Sequence, residues 1–209
     1  MSGTLFKLHK IIRDALISLS TAGSTIILGI DPGSLKTGYG LIESSGNRLR
    51  FLECGTIKTG GGAFPPRLKI IFNDIQSIVQ QWSPDEMAIE SVFLSRNPDS
   101  ALKLGQARGA AICAVMVDNI PVSEYTANQV KQAIVGRGHA DKSQVQHMVK
   151  ILLNLNEQPQ EDAADALAIA LCHANTRKTM LELEAKSTQR YPAEVLSAIR
   201  GRRKKRFTL

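Results

Sequence analysis

Four carboxylates are set apart by where they fall along the chain. Asp31 closes the apolar run Thr25-Ile-Ile-Leu-Gly-Ile30, and Glu90 closes Met87-Ala-Ile89. Asp162 and Asp165 lie at i, i+3, which places both on one face of a helix. That face continues through Ala166, Ile169 and Cys172, so the two acids end an apolar stripe. Two strand ends and one helix terminus can bring all four to a single mouth. Acids gathered in this way raise one another's pKa and oppose folding unless a cation neutralises them. Ligands that are all oxygen point to Mg2+, with Mn2+ as a substitute. Two such ions activate a water and stabilise the leaving oxygen in phosphodiester cleavage.

Each acid has a plain structural reading as well. Asp-Pro-Gly is a good turn starter, which accounts for Asp31 without chemistry. Asp162 can cap a helix or charge its first turn, an effect of about 0.5–2 kcal/mol. Glu90 can be a solvated strand end. Taken together the four favour a metal centre. Nothing else in the chain competes for nucleophilic or zinc chemistry: His9, His139, His147 and His173 have no metal-ligand spacing. Cys54, Cys113 and Cys172 form no CxxC pair, which argues against a disulfide framework and suits a reducing compartment.

The elements that must carry these acids follow from periodicity. Residues 25–30, 39–42 and 49–57 read as three strands, with Ser44-Ser-Gly-Asn47 as a turn between the second and third. Short links make them an antiparallel meander. Pro65-Pro66 starts a helix whose stripe is Leu68, Ile71, Phe72, Ile75 and Val79. Strand 86–90, a helix over about 99–118 and strand 121–125 then alternate, and helices over about 127–134, 141–154 and 161–175 follow. Strand–helix–strand units favour parallel pairing. The expected fold is α/β, a five-stranded mixed sheet with helices on both faces.

That domain spans 25–176. Residues 1–24 form an N-terminal extension in which Leu5, Leu8, Ile11, Ile12, Ala15, Leu16 and Leu19 keep helical spacing. A poorly ordered extension is the favoured reading, beside an amphipathic docking helix, a transit-like peptide and a mis-assigned start, although no other Met lies between Met1 and Met87. Residues 177–209 turn polar and read as a mobile tail that ends in the basic run Arg202-Arg-Lys-Lys-Arg206. With 26 Lys plus Arg against 19 Asp plus Glu, the formal charge is +7, which suits a polyanionic partner. No apolar run approaches the roughly 18 residues of a membrane span.

The ordered motifs resemble the RuvC family of junction resolvases. Ile27-Leu-Gly-Ile-Asp-Pro-Gly-Ser34 with Thr37-Gly-Tyr-Gly40 looks like its first motif, and Ala88-Ile-Glu-Ser-Val-Phe93 like its second. Ser100–Gly109, Gln129-Val-Lys-Gln132, Lys142–Met148 and Asp162–Ile169 complete the set in order. The resemblance implies an RNase H-like fold and an Mg2+-dependent endonuclease that nicks four-way (Holliday) junction DNA in pairs for recombination and repair. It implies a homodimer, which the two-fold symmetry of a junction independently favours. It further implies cooperation with the RuvA–RuvB branch-migration machinery and a bacterial cytoplasmic location, with organellar targeting by residues 1–24 left open. Asp31, Glu90, Asp162 and Asp165 match the family's four catalytic, metal-holding acids. Lys131 and Lys142 resemble its phosphate-handling lysines, although a solvated helix face is the plain alternative.

Phe93, three residues past Glu90, is placed to stack on an unpaired base, or else simply to pack on Val92 and Leu94. Arg96, Lys103, Arg108 and Arg137 are candidates for a wider basic surface. Three other functions compete. An actin-like ATPase or sugar kinase opens with a similar strand and Asp but needs a second glycine-rich segment, which is missing. A junction binder without catalysis has no reason to gather acids beside DNA. A nuclease of the same fold acting on other branched nucleic acids is the hardest to separate.

Overall fold

A computed structural model describes residues 23–91, 97–138 and 140–190. Contacts divide the chain into two units, Met1–His173 and Ala174–Leu209. The first unit holds the sheet. Its strands are β1 (Ser24–Asp31), β2 (Lys36–Ser45), β3 (Arg48–Lys58), β4 (Glu86–Glu90) and β5 (Val122–Tyr125). Its helices are α1 (Phe64–Trp82), α2 (Pro98–Met116), α3 (Ala127–Val135), α4 (Lys142–Leu152) and the start of α5 (Glu161–Arg190).

The strand order is β3-β2-β1-β4-β5. Short turns join β1, β2 and β3, and they pair antiparallel. Between β3 and β4 the chain crosses over through α1, so β4 returns parallel to β1, and β5 returns parallel to β4 through α2. The mixed sheet expected from the sequence is the one found. Its consequence is that β1 and β4 run side by side in the same direction, with their C-terminal residues, Asp31 and Glu90, at one edge.

Alternation along the strands sorts the two faces. Leu28, Ile30, Leu41, Met87 and Ile89 form one cluster with Ile71, Ile75 and Val79 of α1 and with Ala107, Ala111, Ala114 and Val115 of α2. Most of these are fully buried. The other face is floored with glycine, and α5 lies against it. A Cβ on Gly29 would sit 2.1 Å from the Ala166 carbonyl oxygen, and one on Gly38 would sit 1.9 Å from that of Asp162. Gly40 is closed in the same way by Leu167. The backbone of α5 therefore rides directly on β1 and β2, and only glycine permits that approach.

The last helix departs from expectation. Rather than stopping near residue 175, α5 runs to Arg190. Leu, Met, Glu, Lys and Ala dominate its distal part, and all are good helix formers. Polar composition there signalled exposure, not the end of the helix. In the second unit Thr179 Oγ1 donates to the Asn175 carbonyl at 2.9 Å, and Lys178 pairs with Glu182 at i, i+4. Residues 1–22 and 191–209, and with them most of the extension and the basic run, lie outside the described residues.

Candidate active site

Asp31 is held by the turn that follows it. Pro32 has no N–H to extend the ladder, and the chain bends away. Thr37, fully buried, donates its hydroxyl to the Gly33 carbonyl at 2.9 Å and accepts from Gly33 N–H at 3.3 Å. Thr59 Oγ1 donates to the Ser34 carbonyl at 3.0 Å, and the buried Arg67 donates to the same oxygen from Nε at 2.9 Å and from Nη2. The loop is thus clamped from two directions. Arg67 went unnoticed in the sequence, although its position four residues before Ile71, on the buried face of α1, was the available signal.

Glu90 is fixed through its backbone. Arg108 Nε donates to the Glu90 carbonyl at 3.2 Å, and Ser91 N–H donates to the Tyr125 carbonyl at 2.8 Å. Arg108 pairs with Glu124 as well, at 2.6 Å, so it braces β4 and β5 instead of widening a basic surface. Lys103 is likewise taken up, by Asp99 on its own helix. Phe93 and Arg96 lie outside the described residues.

Two capped helices bring in the lysines. Thr126 and Gln129 form a capping box at the start of α3, which carries Lys131. Asp141 and Gln144 form another at the start of α4, which puts Lys142 in its first turn. Asp31, Glu90, Asp165, Lys131 and Lys142 then line one open cavity of about 340 Å³, walled by Ala127, Val130, Val145, Ala168 and Ile169. Asp162 does not line it. It lies over Gly38 on the turn of α5 above Asp165 and acts on the site through its charge.

Burial comes first among the forces on these acids. It pushes the Asp31 carboxyl up to about 8, with the charges of Glu90 and Asp165 adding to the effect. Glu90 is raised too, by burial and then by Asp165, although its hydrogen bond with Asp31 works the other way. Both members of the pair are thus shifted toward the neutral form, Asp31 the more strongly. Burial also raises Asp165, against the pull of Lys142. Lys142 Nζ lies 2.8 Å from Asp165 and 2.5 Å from Glu161. Desolvation opposes the charge of that lysine, but the two carboxylates outweigh it and raise its pKa. Glu161 was not singled out from the sequence.

Among the described residues, no three His, Cys, Asp or Glu side chains stand close enough to ligate one ion as they are placed. The donor chemistry nevertheless suits a hard divalent cation, because the carboxylates of Asp31, Glu90 and Asp165 all line one cavity and are partly desolvated there.

A mixed sheet in this order, crossed by a helix that brings acids to the ends of β1 and β4, defines an RNase H-like α/β protein. The model of the family described as crossover junction endodeoxyribonuclease RuvC matches residues 27–173. The crossover junction endodeoxyribonuclease RuvC of Shewanella sp. (strain MR-4) is 55% identical over 165 residues, 79% of this chain and 95% of that protein. The structure of Thermus thermophilus RuvC in complex with Holliday junction substrate is 35% identical with a TM-score of 0.70, covering 74% of this chain and 96% of that one. Yeast mitochondrial Holliday junction resolvase Ydc2 aligns at a TM-score of 0.56 over 77% of this chain and 85% of its own, and at 10% identity shares the fold alone. The chain belongs to the RuvC family of crossover junction endodeoxyribonucleases.

Proposed function

We propose that this protein resolves four-way DNA junctions by paired symmetric nicks, with Asp31, Glu90, Asp162 and Asp165 as its catalytic acids. One observation carries the assignment of residues. Asp31, Glu90 and Asp165 line a single open cavity together with Lys131 and Lys142, which sets carboxylates beside ammonium groups that can meet a phosphate. Mg2+, or Mn2+ in its place, would be held by Asp31, Glu90 and Asp165, with Asp162 adding charge from behind. When bound, such ions supply an activated water and a counter-charge for the leaving oxygen.

The protein's own part is to hold the reacting groups still. The clamped turn after Asp31 and the braced end of β4 keep two carboxylates at fixed positions on a rigid sheet. Lys142 is shared between Asp165 and Glu161 while no DNA is present, and a scissile phosphate is a competing anion for it. Lys131, on the facing helix, neutralises an adjacent phosphate. Phe93, three residues past Glu90, stacks on an unpaired base at the junction centre, and Arg96 adds backbone contact. Two copies of the chain related by a two-fold axis place two such cavities on the two strands to be cut. The proposed setting is the bacterial cytoplasm, in company with RuvA–RuvB. Among the described residues, no helix is long and apolar enough to cross a membrane.

The test is cleavage of a labelled synthetic four-way junction in Mg2+ or EDTA, with linear duplex as control and Asp31→Asn alongside. Paired nicks that need both Mg2+ and Asp31 are expected. Binding without cutting, in Mn2+ also and across several junction sequences, would sink the catalytic assignment.

A further inference from the structure

Away from the carboxylate cavity, one titratable side chain is sealed in the core. His173 of α5 is 6% exposed, and both of its ring nitrogens are engaged. Nδ1 lies 2.7 Å from the Tyr125 hydroxyl, and Nε2 lies 2.6 Å from Glu86 Oε2. The tyrosine ring meets the imidazole edge-on, with centroids 5.7 Å apart. A carboxylate only accepts, so Nε2 carries the hydrogen of that bond, while Nδ1 and the Tyr125 hydroxyl share the other.

Two of the three residues belong to elements that line the site, and the third to the strand beside it. Glu86 begins the strand that Glu90 ends. Tyr125 ends β5 in register with Glu90, and its carbonyl takes the Ser91 N–H. His173 follows Asp165 by eight residues on one helix, about 12 Å along its axis at 1.5 Å per residue. Elsewhere α5 is seated by close packing, Gly29 and Gly40 against Ala166, Ala170 and Leu167, and by the Lys142 pairs with Asp165 and Glu161. The packing is non-directional and the Lys142–Glu161 pair is more than half exposed, so neither sets the axial position of the helix as sharply as a buried hydrogen bond does. The two hydrogen bonds of His173 are directional, buried and anchored on two strands.

We propose that His173 is a positioning residue, which with Tyr125 and Glu86 fixes the axial setting of α5 and so the distance of Asp165 from Glu90 and Asp31. The inference rests on Asp165 being an acid of the active site. It concerns a group that touches neither DNA nor metal.

Tyr125→Phe tests it with the least damage, because one hydroxyl is lost and the ring still packs. His173→Leu removes both bonds, and Glu86→Gln keeps an acceptor for Nε2–H. Three readouts are needed: single-turnover cleavage of a four-way junction, junction affinity in EDTA, and Mn2+ binding to DNA-free protein by calorimetry. For Tyr125→Phe and His173→Leu the expected results are a cleavage rate lower by about tenfold or more and a Mn2+ dissociation constant raised by a similar factor, the usual scale for outer-shell partners of a metal site. Junction affinity in EDTA should not move. Glu86→Gln should stay within about threefold of the parent, since a neutral acceptor weakens the bond without removing it.

A merely structural histidine gives a lower melting temperature with unchanged Mn2+ affinity and cleavage, and that result overturns the proposal. Should His173→Leu fail to fold, Tyr125→Phe decides alone. Asp165→Asn run in parallel separates the two levels. If it still cuts, the assignment of the site is wrong; if it is dead while Tyr125→Phe matches the parent, only the positioning role is lost.

Discussion

Strand β4 begins and ends with a glutamate, and the two keep opposite electrostatic company. Glu86 meets the His173 ring at 2.6 Å, with the Tyr125 hydroxyl bonded to the far side of that ring. Glu90, four positions along the same strand, faces Asp31 and Asp165 and is raised by burial and by the second of these. One end of the strand satisfies its carboxylate with a hydrogen bond, and the other gathers like charges in an open cavity. Folding alone accounts for the first arrangement. It works against the second, since mutual repulsion of buried acids costs stability in the metal-free chain. Local conflict beside local satisfaction is how a reactive site differs from its scaffold.

The sharpest way to break this contrast is to make the same substitution at both ends. Glu90→Gln should lower the single-turnover cleavage rate by about 10³-fold or more, the scale seen when one member of a catalytic unit is removed. Glu86→Gln should leave that rate nearly intact. Equal losses at the two positions would mean that Glu90 is no more than another structural carboxylate.

On the scaffold side the largest effect should come from Gly38. A methyl there meets the Asp162 carbonyl, which is backbone and has no rotamer to escape into. Gly38→Ala should therefore lower unfolding free energy by about 3 kcal/mol, as overpacking does, measured by denaturant titration. Gly61→Ala, where a methyl meets nothing within 4 Å, should fall within about 0.5 kcal/mol of the parent. Similar values for the two would show that α5 does not ride on the glycine floor.

The conflict at the acid end has a pH signature of definite sign. Asp31 is raised from 3.8 to about 8 in the folded protein. Its protonated form is favoured by folding, so the contribution to stability is complete below pH 3.8 and is lost as pH rises towards 8. In EDTA the melting temperature should fall across that window. Asp31→Asn should flatten the fall and leave the variant more stable than the parent at pH 8, by roughly 1–3 kcal/mol. Glu161 acts in the opposite sense, because Lys142 holds it below its ordinary 4.5, but its effect is confined to more acid solution. An EDTA melting curve that is flat from pH 4 to 8, and identical for Asp31→Asn, would remove the electrostatic conflict altogether.

What the sequence disclosed, and what it hid, divides along the same line. Asp31, Glu90 and Asp165 were legible because each ends a locally readable pattern, an apolar run or a helical stripe, and topology does the rest. The glycine floor was present as letters in Ile27–Ile30 and Thr37–Gly40, but its purpose depends on a helix more than a hundred residues later. The His173 bonds span 48 and 87 residues, so no local pattern announces them. Arg108 looked like surface charge because arginine usually is, and only the fold shows its stem crossing to the Glu90 carbonyl. The length of α5 was misjudged for a different reason: polarity says where water is, whereas propensity says where a helix continues.

The smallest effect tests how the lysine links the two sides. Lys142 is held by Asp165 and Glu161 together, and both Lys142 and Glu161 are more than half exposed. Without Glu161, Asp165 keeps the ammonium alone, and a divalent ion must compete harder for that carboxylate. Glu161→Gln should accordingly weaken Mn2+ binding to DNA-free protein by about twofold at low salt, in keeping with the modest strength of exposed ion pairs. Because the pair is open to solvent, 0.5 M salt should erase the difference. Lys142→Met should act in the opposite direction, tightening Mn2+ binding by freeing Asp165 while slowing cleavage for want of a phosphate contact. If Glu161→Gln and Lys142→Met shift metal affinity the same way, the lysine is not a competitor at the acid cluster, and its place there is incidental to how the site is loaded.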